Sequence, residues 1–124
     1  MNFWFLIAGG LGVLTCLTHV FLGGREVAKP LLQADGLTSL TRFTQYFCWH
    51  IVSLVLAVQA ASFVYAGIYP AGADIAVVMT ILALGTALWN FAMNYAHRLK
   101  WQRHPQFVFF VPMTILGGAG IFAG

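Results

Sequence analysis

Four stretches of the chain, residues 3–22, 43–65, 75–96 and 106–123, contain no Asp, Glu, Lys or Arg. At about 1.5 Å per residue, each approaches the length a helix needs to cross a hydrocarbon core of about 30 Å. In lipid a segment must satisfy its own backbone polar groups, so apolar runs of this length fold as membrane helices. Together they use most of the 124 residues, which leaves no room for a soluble catalytic domain. Composition agrees: only 7% of residues are charged, against about 25% in an average soluble domain. The expected fold is an all-α membrane protein, a four-transmembrane-helix bundle forming a single integral membrane domain over residues 1–124.

The charges between the runs set the orientation. Residues 23–42 hold Arg25, Lys29 and Arg42, and residues 97–105 hold Arg98, Lys100 and Arg103, so all 6 basic residues share one side of a four-span chain. The other side, with both termini and the turn around residues 67–73, carries Asp74 alone. Short basic loops stay cytoplasmic, which places the connections 23–42 and 97–105 inside and the N and C termini on the non-cytoplasmic side. The net charge of +3 is then a topology signal and calls for no nucleic acid. Arg25 and Lys29 follow the first run and do not precede it, which argues against a cleaved signal peptide. Cys16 and Cys48 fall inside apolar runs, so no secreted disulfide framework is expected.

Local signals refine the spans. Thr38 and Ser39 are candidate caps for the second helix, which Gly67 and Pro70 close, and Asp74 is a candidate cap for the third. Pro112 predicts a kink in the fourth. In the 23–42 connection, Val27, Pro30, Leu31 and Leu32 suggest a segment lying on the membrane interface. Trp4, Tyr46, Trp49, Tyr65, Tyr69, Tyr95 and Trp101 lie near span ends, where amphipathic rings anchor.

Helices meet in a bilayer through small residues that let backbones approach. Ala8, Gly12 and Cys16, with Thr15 and His19, give the first helix one such face; Tyr46, His50, Ser53, Ala57 and Ala61 give the second a comparable stripe. The third repeats the pattern with Thr86, Asn90, Asn94 and His97, and the fourth offers Gly117, Gly118, Gly120 and Gly124. Gln59, about half a turn from His50, is set apart for another contact.

By helical rise, His19 lies roughly 5 Å and His50 roughly 10 Å inside the cytoplasmic end of the spans, with Asn94 and Asn90 at matching depths. Ionisable groups at such depth face the bundle interior and mark a functional site by default. His19 and His50, supported by Cys16, Ser53, Asn90, Asn94 and Glu26, therefore form the candidate cluster. Two neutral imidazoles suit axial haem ligation, or a copper or zinc site completed by Cys16. The alternative is that each imidazole only hydrogen-bonds between helices, to Asn90, Asn94 or Ser53. The basic patch of His97, Arg98, Lys100, Arg103 and His104 suits anionic lipid headgroups as well as it suits topology.

Enzyme templates are missing: the chain holds no nucleotide loop, Gly-x-Ser-x-Gly elbow, HExxH or CxxC. No run holds a carboxylate of the kind an ion-driven transporter uses. The arginine- and asparagine-rich signature of small glutathione-handling membrane enzymes is also missing. The first functional reading is a non-enzymatic membrane protein that acts as a homo-oligomer or as an accessory subunit of a membrane complex. The second is a haem- or transition-metal-binding redox module using His19 and His50. The third is passage of a small solute or protons.

Gly23-Gly24-Arg25-Glu26, Lys29-Pro30-Leu31-Leu32, Trp49-His50 and His104-Pro105-Gln106-Phe107 resemble, over nearly the whole chain, a family of small four-span bacterial inner-membrane proteins of uncharacterised function. The resemblance implies a four-span fold and the bacterial inner membrane as the compartment, and supplies no catalytic residue.

Overall fold

The computed structural model describes residues 1–123, and among these the regular structure is all helical, with no strand. Helix α1 spans Phe3–Leu17 and continues through a π-helical stretch, Thr18–Ala28, into α2, Lys29–Gln33. Helix α3 spans Ser39–Ile68, a 3-10 turn covers Pro70–Gly72, α4 spans Ala73–Ala96 and α5 spans Phe107–Phe122. Three helical units are long and apolar enough to cross a membrane: Phe3–Gln33, Ser39–Ile68 and Pro70–Ala96. The fourth, α5, has 16 residues, about 24 Å of helix, and runs through Pro112 without a break.

The first unit departs from the expected boundary. Helical structure does not stop where the apolar run closes at residue 22 but runs on past Arg25 and Glu26 to Gln33. The ladder widens here: the Lys29 amide donates to the Gly24 carbonyl, a bond five residues back. Gly23 explains why two glycines fail to break the helix. A Cβ there would lie 2.6 Å from the Trp49 ring, so the indole packs directly on the backbone. A wide turn that accommodates an inserted side chain is a known setting for π geometry.

Caps follow local rules. Asn2 accepts from the amides of Trp4 and Phe5, while its own Nδ2 donates to the Gly120 carbonyl at 2.8 Å and its backbone amide to the Gly67 carbonyl at 2.8 Å. One side chain and its amide thus tie the ends of α1, α3 and α5 together. Thr38 caps α3 as expected, accepting from the Thr41 amide at 3.2 Å. Asp74 sits in the first turn of α4, and the cap position belongs to Gly72. Arg42 donates from Nη2 to the Ala34 carbonyl at 2.7 Å and braces the turn before α3, where Gly36 takes a positive φ of 82°.

The three long units and the shorter α5 close a ring in the order α1, α3, α4, α5, with the α1–α3 contact the most extensive and α3–α4 the least. Phe63 and Met113, fully buried, fill the centre with Phe5, Leu56 and Phe110, among Ala8, Ala76, Ala83 and Ala87. The α1 stripe is buried at Ala8, Gly12 and Thr15, as its spacing predicts. Glycines pass close to neighbouring chain elsewhere: Gly117 lies against Thr80, Gly120 against Phe5 and Gly67 against Leu6. Gly124 lies outside the described residues.

Helix α3 is rotated from its expected facing. Its buried face is Leu56, Gln59, Ala60, Phe63, Ala66 and Gly67, while His50, Ala57 and Ala61 are exposed. Gln59 accounts for the difference: its Nε2 donates to the Met79 carbonyl of α4 at 3.0 Å and the residue is 1% exposed. A polar amide that finds an interhelical partner belongs inside, and a shift of one residue turns the face by about 100°. Outside, Leu54, Val58, Ile81, Leu88 and Ile115 stand exposed, and a third or less of each apolar window is buried. Apolar surface of that extent fits lipid as the solvent.

Candidate functional site

The first candidate histidine is held by α3. The His19 ring stacks on Trp49 with centroids 3.9 Å apart and planes 18° from parallel, and its Nε2 lies 3.3 Å from the Trp49 carbonyl. A carbonyl only accepts, so Nε2 carries the proton in this contact and Nδ1 is the acceptor in the neutral ring. Ser53 donates to the same carbonyl at 3.2 Å, and the Cys16 thiol reaches the Ser53 carbonyl at 3.9 Å. Cys16, His19, Trp49 and Ser53 therefore form one continuous α1–α3 seam.

His50 follows Trp49 on α3. It is exposed and meets the Tyr46 ring edge-on at 4.6 Å. Beside it opens a cleft of about 450 Å³ between the widened helix and α3, lined on one wall by Val20, Gly24, Ala28, Lys29, Leu32 and Gln33. Tyr46, Trp49, His50 and Ser53 form the other wall. Positions 20, 24, 28 and 32 recur at every fourth residue, so the helix extension presents a single face to the cleft. Glu26 is exposed and off that face.

The expected convergence of the asparagines on the histidines is not what forms. Asn90 donates to the Gln106 side chain at 2.7 Å and accepts from the Phe107 amide at 3.1 Å, capping α5 from α4. Asn94 donates to the His104 carbonyl at 3.0 Å and is 1% exposed. Both serve the 97–106 connection. The amide of Phe107 is one of the orphan donors of a helix start, so a nearby asparagine meets a need that a distant imidazole does not. His97 follows α4 as an exposed residue.

For ligand chemistry, the seam brings His19 and Cys16 to α3 but gathers no set of three His, Cys, Asp or Glu donors among the described residues. One face of the His19 ring is covered by the indole, and His50 packs against Tyr46. The sequence groups His19, His50, Cys16 and Ser53; Trp49, expected as an interfacial anchor, Lys29, expected as an orienting charge, and Gln33 join this region only in the structure. The available signal was the Gly23-Gly24 pair, a place where a large ring can approach a helix backbone. Comparison with protein-family models, curated proteins and solved structures finds no match to the chain.

Proposed function

We propose that this is a polytopic integral membrane protein of the bacterial inner membrane, with four spans, both termini on the non-cytoplasmic side and the basic connections cytoplasmic. It is non-enzymatic and acts by packing, as a homo-oligomer or as an accessory subunit of a membrane complex. The observation that carries this reading is two exposed helical glycines with no packing neighbour among the described residues. Gly10 on α1 and Gly85 on α4 are exposed, and a Cβ at either would meet nothing within 4 Å. Glycine costs a helix about 1 kcal/mol relative to alanine, a cost that Gly9, Gly12, Gly67, Gly117 and Gly120 offset by close packing within the bundle. For Gly10 and Gly85, a neighbouring chain is the partner that supplies the same gain. The two helices lie across the ring from each other.

Native mass spectrometry from mild detergent tests the reading. The wild type is expected as an assembly of defined stoichiometry, and the double variant Gly10→Leu with Gly85→Leu as a monomer of unchanged stability. A wild-type chain that is strictly monomeric and carries no stoichiometric partner contradicts the proposal.

A further inference from the structure

The cleft between the widened helix and α3 has a composition that packing alone does not require. We propose that it binds one anionic phospholipid, with the phosphodiester held by Lys29 and His50 and an acyl chain running past Val20 toward the apolar part of α1. The cleft is divided by polarity. Lys29, Gln33, Tyr46 and His50 supply donors, Val20, Ala28, Leu32 and Trp49 supply apolar wall, and no carboxylate lines it. Ser53 is committed to the Trp49 carbonyl, as is His19 outside the cleft, whereas the side chains of Lys29, Gln33, Tyr46 and His50 make no hydrogen bond among the described residues.

The shape and position fit the same occupant. Gly24 lies on the cleft wall with open space where a Cβ would stand, which keeps the middle clear. The helix extension carries Arg25 and Lys29 just past the apolar part of α1, and the other basic residues, Arg42, Arg98, Lys100 and Arg103, lie near the start of α3 and after α4, at the same end of the helices. Basic pockets between membrane helices at the cytoplasmic level hold anionic headgroups because the ammonium meets phosphate in a partly dry setting. The two non-bridging oxygens of a phosphodiester accept from Lys29 and from an imidazole N–H at once, and Tyr46 and Gln33 extend the donor set toward the headgroup. This contact is distinct from the basic patch at residues 97–104, which belongs to the other connection.

The test reconstitutes the full chain into nanodiscs of phosphatidylcholine with a minor share of phosphatidylglycerol. Native mass spectrometry then counts the lipid that stays bound in mild detergent. The expected result is one phosphatidylglycerol retained in preference to phosphatidylcholine, reduced about five-fold in Lys29→Gln. Gly24→Leu, which fills the cleft without changing charge, is expected to reduce retention comparably. Arg103→Gln, the same loss of charge on the other connection, is expected to leave it intact. Equal retention of the two lipids, equal effects of Lys29→Gln and Arg103→Gln, or an unaffected Gly24→Leu overturns the proposal. Displacement of the lipid by excess inorganic phosphate also overturns it, since the site is then one for the free anion.

Discussion

Gly12→Leu is expected to destabilise the bundle by about 3 kcal/mol, read as a shift in the unfolding midpoint when dodecyl sulfate is titrated into mixed micelles. A Cβ at Gly12 stands 3.0 Å from both the Cα and the Cβ of Ala60, so the obstruction is main chain and cannot swing aside. Gly9, three residues earlier, has its own Cβ position 3.0 Å from the Val64 amide nitrogen. The α1–α3 interface is therefore two backbones in near contact, and a leucine between them separates the most extensive helix pair in the fold. Gly10→Leu is the control. Its side chain points into open space, so monomer stability should be unchanged or improved by up to about 1 kcal/mol. Equal midpoints for Gly12→Leu and Gly10→Leu contradict the close approach of α1 and α3.

Phe63→Ala is expected to cost about 3 kcal/mol in the same assay, at the lower end of the range for a buried phenylalanine. Phe63 is fully buried, with the Phe5 ring 6.3 Å away between centroids. In lipid the transfer of apolar surface from water drops out of the balance, because acyl chains are as apolar as the core. What remains is the cavity, whose lining atoms lose their dispersion partners. Phe47 separates this from a general effect of losing an aromatic ring, since it lies on the same helix but is 64% exposed. Phe47→Ala should fall within about 0.5 kcal/mol of wild type, as a surface substitution does. A Phe47→Ala loss as large as that of Phe63→Ala contradicts the assignment of inside and outside on α3.

The parts of this fold legible in the sequence are those governed by neighbours along the chain. Apolar run length gave four helical units, the spacing of Ala8, Gly12 and Thr15 gave the buried face of α1, and Thr38 gave the start of α3. Two features depended on distant partners. Hydropathy marks where charge begins at Arg25, but whether a helix stops is settled by its backbone hydrogen bonds and by what it leans on. Here it leans on Trp49, 26 positions from Gly23 in the numbering, and the helix runs on to Gln33. The facing of α3 depended on Gln59, whose partner is a carbonyl on the next helix.

The candidate site divided along the same line. His19 and Cys16 share the small-residue face of α1 by their spacing, and with Ser53 of α3 they form one seam. Asn90 and Asn94 matched the histidines in depth, yet unsatisfied groups on the 97–106 connection lie closer along the chain and claim them. Depth places residues at one level of a bundle. It does not say which of several polar groups at that level will pair.

The proposed four-span topology with cytoplasmic basic connections is tested most directly by paired cysteine labelling in intact bacterial cells. With Cys16 and Cys48 changed to Ser, single variants Ala71→Cys and Gln102→Cys report the two ends of α4, since both positions are exposed and lie beyond its opposite ends. An impermeant maleimide is predicted to label Ala71→Cys in intact outer-membrane-permeabilised cells and Gln102→Cys only after the inner membrane is opened. Labelling of both from the same side, or of Gln102→Cys alone from outside, contradicts the account.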